Sequence, residues 1–121
     1  MNRNAVEYHV GMVMMTATGS DRKFSDEEVE GMIAFLGGMF EAMGSDTDPA
    51  DYINELMDDL NSFDDDEVST RINKAIETLP KKLNEEQLEA LYGGLAEIVD
   101  LDGTSKQEKN FLNALKKVWF S

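Results

Sequence analysis

Apolar residues recur every three or four positions along almost the whole chain, and nowhere do they alternate as a half-buried strand requires. The pattern predicts six helices. The first, about Asn4 to Thr18, would bury Val6, Val10, Val13 and Ala17. The second, about Asp26 to Met43, carries Val29, Met32, Ile33, Leu36, Met39, Phe40 and Met43 on one broad face. The third, about Pro49 to Asn61, turns Ile53, Leu56, Met57 and Leu60 inward. The fourth, about Asp65 to Leu79, does the same with Val68, Ile72, Ala75, Ile76 and Leu79. The fifth, about Glu85 to Val99, offers Leu88, Leu91, Leu95, Ile98 and Val99. The sixth, about Lys106 to Phe120, offers Phe111, Leu112, Leu115, Val118 and Trp119. Loops this short favour antiparallel neighbours in one all-α bundle.

Start and stop signals fit these spans. "SDEE" (Ser25 to Glu28), "NEEQ" (Asn84 to Gln87) and "SKQE" (Ser105 to Glu108) are capping boxes. In each, the first side chain accepts from a free backbone N–H and the last reaches back to the cap's own N–H. "DPAD" (Asp48 to Asp51) pairs an aspartate cap with proline in the first helical position. "DDDE" (Asp64 to Glu67) places carboxylates at the positive end of a helix. Gly44 should stop the second helix and Pro80 the fourth.

Composition narrows the chemistry. A chain of 121 residues, 41% of them hydrophobic, fits a single domain over 1–121 with a sizeable core. The absence of cysteine removes disulfides, thiolate zinc sites and cysteine nucleophiles. A single histidine, His9, removes multi-imidazole zinc sites, so a metal would need oxygen ligands, as Ca2+ or Mg2+ does. No apolar run reaches membrane-spanning length and no secretion signal opens the sequence, so a cytoplasmic protein is expected.

The charge is unevenly placed. From residue 24 to 70 there are fifteen acids and no Lys or Arg, while the flanking segments are close to neutral. That segment supplies the net −14. Without clustered bases, nucleic acid is not an expected partner, and an anionic membrane surface is disfavoured too. Cations or a basic protein surface are the expected partners.

One feature repeats. In "DRKFSDEEVEGMIAFL", Asp21 precedes Ser25 and Glu28, then Met32, Phe35 and Leu36. In "DGTSKQEKNFLNAL", Asp102 precedes Ser105 and Glu108, then Leu112 and Leu115. Each follows an apolar helix containing an alanine, Ala17 or Ala96. The paired segments, about Gly11 to Leu36 and Gly93 to Val118, resemble the double motif of the TerB-like family, named for tellurite resistance. The first copy has Arg22 at the family's glycine position, and the second has six residues rather than seven from Asp102 to Glu108. The resemblance implies a small all-helical bundle with a pseudo-twofold repeat of an acidic helix-loop-helix motif. It implies a non-enzymatic binding module of the stress- and tellurite-resistance type. It also implies a weak Ca2+ or Mg2+ site at Asp21 and Glu28 in one copy and Asp102 and Glu108 in the other. Asp100 fits no family position but could add a ligand.

Each of these features has a plainer explanation. Glu28 and Glu108 are the third positions of capping boxes, where holding a helix end is task enough. "DLDGTSKQEKNF" is no EF-hand loop, because its glycine falls at the fourth position and Phe111 at the twelfth. His9 has no nucleophile or second base spaced to it and is expected on a solvated face. Seven methionines, Met12, Met14, Met15, Met32, Met39, Met43 and Met57, crowd the first half. They are expected to fill core, but a Met-rich face could instead serve a metal-free adaptor that also uses the acidic surface. Gly37-Gly38 and Gly93-Gly94 inside helices call for close helix approach or a homodimer contact.

Overall fold

The computed structural model describes residues 5–18, 26–100 and 106–120, and the side chains of all of these except 18, 99, 100, 107 and 108. Within them the chain forms six helices and no strand: α1 (Val6–Thr18), α2 (Asp26–Met43), α3 (Pro49–Ser62), α4 (Asp65–Lys82), α5 (Glu85–Asp100) and α6 (Lys106–Phe120). Four of the six, α2, α3, α5 and α6, agree with the sequence reading to within one residue at each end, while α1 starts two residues later and α4 ends three residues later than expected.

The caps explain why the breaks fall where they do. Asp48 accepts from the N–H groups of Ala50 and Asp51 at 2.9 and 3.2 Å, with Pro49 opening α3. Asp64 accepts from the Glu67 N–H at 2.8 Å. At the start of α5 the box closes in both directions. The Gln87 N–H donates to Asn84 Oδ1 at 2.8 Å, and the Asn84 N–H donates to Gln87 Oε1 at 3.1 Å. Gly44 stops α2 in the left-handed region, φ 73°, and the Ser45 N–H turns back to the Phe40 carbonyl at 2.8 Å. Only glycine takes that φ without strain. Ser25 and Ser105, the caps expected for α2 and α6, lie outside the described residues.

α1 sits in the middle and packs against all five other helices, most extensively against α4. Every residue from Tyr8 to Met15 is buried, and so is Ala17. Of the expected stripe, Val10, Val13 and Ala17 are buried and Val6 is half-buried, but burial extends to every other face of the helix as well. The physical reason is that no charged residue occurs from Tyr8 to Thr18, so no face of the helix needs water. The remaining helices are amphipathic and wrap it. α2 contributes Met32, Leu36, Met39 and Phe40, α3 contributes Tyr52, Ile53, Leu56 and Leu60, and α4 contributes Ala75 and Leu79. Leu88, Leu91, Leu95 and Ile98 of α5 and Leu112, Leu115 and Trp119 of α6 complete the core.

Two expectations fail. Pro80 does not end α4, which continues through it to Lys82 and is capped at Leu83. Val118, expected inside, is 56% exposed.

Candidate functional site

The end of α4 forms one wall of a surface groove. Proline has no N–H, so Pro80 cannot supply the helical hydrogen bond due to the carbonyl four residues back, that of Ile76. The indole of Trp119, from α6, supplies a donor instead: Nε1–H meets the Ile76 oxygen at 3.1 Å. The last turn of α4 can therefore continue while α6 is pinned against it. Beside this joint runs a groove of about 780 Å³ between the end of α4, the outer face of α5 and the end of α6. Leu88, Tyr92, Trp119 and Phe120 give it an apolar, mostly aromatic lining. Phe120 stands edge-on to both Tyr92 and Trp119, with ring centroids 5.7 and 6.4 Å apart, and remains 37% exposed.

The rims of the groove are charged. Glu85 and Glu89, one helical turn apart, line the α5 side, and Lys116 lines the α6 side. All three are exposed. Gly93 also faces the groove, and a Cβ placed there would touch nothing within 4 Å. A mid-helix glycine costs about 1 kcal/mol relative to alanine, and no packing among the described residues accounts for it at 93.

The other glycines divide. A Cβ at Gly94 would run into the ring of Phe35, so this half of the pair does serve close approach of α2 and α5. Gly38 faces open space and Gly37 only brushes Pro49 at 3.7 Å. Gly11, which the sequence reading passed over, marks a close approach of α1 to α3, since a Cβ there would overlap the buried Leu56.

Of the five residues expected to bind metal, only Glu28 has its side chain among those described. Glu28 stands half-buried in the first turn of α2. Asp21 and Asp102 lie outside the described residues. Asp100 is the last residue of α5 and Glu108 lies in the first turn of α6, but their side chains are outside the description. Among the described residues no three His, Cys, Asp or Glu side chains are grouped to hold a metal ion.

His9 is not solvated. It is 3% exposed, and its Nδ1 has no hydrogen-bond partner among the described residues. Burial, and then the charges of Lys74 and Lys82, push its pKa below the ordinary histidine value. The methionines are core as well: Met12, Met14, Met15, Met32 and Met39 are buried, and Met43 and Met57 are half-buried against the core. Of these seven, only Met43 and Met57 reach the surface in part.

On the acidic side, Tyr8 donates to Asp59 Oδ2 at 2.9 Å and ties α1 to α3. The neighbouring Tyr52 has its pKa raised by burial first, and then by Glu7, Tyr8, Glu55 and Asp59. Its phenol is therefore held protonated. No helix among the described residues is long and apolar enough to cross a membrane.

No family model, curated protein or solved structure matches this chain.

Proposed function

We propose that this chain is a non-enzymatic protein-binding module, and that the α4–α5–α6 groove receives a basic amphipathic helix of a partner protein. The groove itself carries this reading: an aromatic lining, left open, at the joint where Trp119 meets α4. Amphipathic helices dock into such grooves through apolar residues one turn apart. Glu85 and Glu89 would face lysines or arginines along one edge of the incoming helix. The chain's net charge of −14 would favour the approach of a basic partner over an acidic one. Lys116, on the opposite rim, would lay its stem along the occupant and pair with an acidic side chain or a helix C-terminus.

The test is calorimetric titration with an 18-residue Leu/Lys amphipathic peptide, using its Leu/Glu counterpart as control. Saturable one-to-one binding of the basic peptide is expected. Phe120→Ser should weaken it at least tenfold without changing the helical circular dichroism. Equal affinity for wild type and the variant, or equal affinity for the acidic peptide, would remove the groove from the account. A dimer by sedimentation would mean that a second copy covers the groove instead.

A second reading keeps the resemblance to the TerB-like family, with its pseudo-twofold pair of acidic motifs and its stress or tellurite-resistance setting. It is favoured by Glu28, half-buried in a helix turn that also holds Asp26 and Glu27. Under it, Asp21, Glu28, Asp100, Asp102 and Glu108 form a weak Ca2+ or Mg2+ site. Glu28→Gln with Glu108→Gln keeps both capping hydrogen bonds and removes two charges. Millimolar calcium should then raise the melting temperature of wild type more than that of the double variant. An equal shift in both would contradict a site at these residues.

A further inference from the structure

We infer that His9 is an acid-sensitive lock: neutral, it lets α1 stand in the middle of the bundle, and protonated, it loosens α1 from α4. The inference rests on placement and does not depend on the groove. His9 lies near the start of the one helix that packs against all the others, and it is 3% exposed. An imidazolium has two N–H donors, and the buried Nδ1 has no hydrogen-bond partner among the described residues. A buried charge without a partner is among the most costly groups a core can hold.

The surroundings offer no rescue. From α4, the helix most extensively packed on α1, the charges that act on the ring are Lys74 and Lys82, both of the wrong sign. On α1 itself, Glu7 accepts a hydrogen bond from the Ser45 hydroxyl at 3.5 Å, and the Tyr8 hydroxyl donates to Asp59 while its ring stands edge-on to the imidazole at 6.2 Å. Among the described residues, α2, α3, α5 and α6 supply no charge that acts on His9. α4 also carries the Ile76 carbonyl that holds Trp119, so loosening α1 from α4 would reach the α6 joint.

The sign follows from proton linkage. The folded pKa lies below the unfolded value of 6.5, so between the two the unfolded chain binds more protons. The stability contributed by neutral His9 is complete above 6.5 and is lost as pH falls through the folded pKa. Across that window the unfolding equilibrium constant should rise as pH falls, relative to a chain without the imidazole, with a slope of at most about tenfold per pH unit.

Urea unfolding of wild type and His9→Leu between pH 8 and pH 5 tests this. The carboxylates titrate in both chains, so the difference isolates His9. A ratio of unfolding constants that climbs below pH 6.5 is expected, and a constant ratio would overturn the inference. As this is the only histidine in the sequence, its imidazole proton resonances can also be followed in the intact wild type whether or not the variant folds. Titration below pH 6.5, with loss of amide protection along α1, is expected. Titration at or above 6.5 in the folded protein would refute it.

Discussion

The indole Nε1–H of Trp119 donates to the carbonyl oxygen of Ile76 at 3.1 Å, the acceptor that Pro80 leaves without its usual helical donor. A proline within the last turn of α4 and a tryptophan in the last turn of α6 thus complete one another. Trp119→Phe should destabilise the fold by roughly 0.5–1.5 kcal/mol, the net worth of one part-buried hydrogen bond. In a Pro80→Ala background the alanine N–H can take over the Ile76 carbonyl. Urea unfolding of the four chains should therefore show a smaller cost of Trp119→Phe when residue 80 is alanine. Equal cost in both backgrounds would mean that the two residues are energetically independent.

Adjacent glycines should respond in opposite ways. Gly94→Ala puts a methyl into the Phe35 ring and should destabilise by roughly 1–2 kcal/mol after the helix-propensity gain is offset. Gly93→Ala meets nothing and should stabilise by about 0.5–1 kcal/mol. If the groove accepts a closely approaching helix, that same change should weaken binding of the Leu/Lys peptide. Thermal melts and one titration measure both effects.

The reciprocal cap between Asn84 and Gln87 should be worth about 1 kcal/mol, so Asn84→Ala should lower stability by about that amount in urea unfolding. Asn84→Ser should recover most of it, because serine also accepts at a cap. A loss no smaller for serine than for alanine would argue against the cap as the source.

The caps were legible because they are local. Asp48, Asp64, Asn84 and Gly44 act on backbone within a few residues, and a string of letters contains that whole interaction. Pro80 was misread because what lets the helix pass through it is Trp119, 39 positions further along the chain and on another helix. The burial of α1 was read too narrowly, because a stripe was sought in a helix whose uncharged run from Tyr8 to Thr18 leaves no face that needs water. His9 followed from the same error, since a helix without a wet face leaves no place for a solvated histidine. The groove had only indirect signals, a mid-helix glycine at 93 and aromatics near the end of α6, because its walls come from three helices.

The groove can be watched directly, because Trp119 is the only tryptophan in the chain and lines it. The most direct measurement is the fluorescence of Trp119 as the Leu/Lys peptide is added to wild type, to Glu85→Lys/Glu89→Lys and to Glu55→Lys/Asp58→Lys. The last pair changes the net charge by the same amount on exposed positions of α3, away from the groove. The account predicts a saturable change in emission for wild type and for the α3 variant, weakened at least tenfold when Glu85 and Glu89 are reversed. An equal loss in both variants would show that the peptide responds only to diffuse charge, and an unchanged Trp119 signal in wild type would show that the groove is not where it binds.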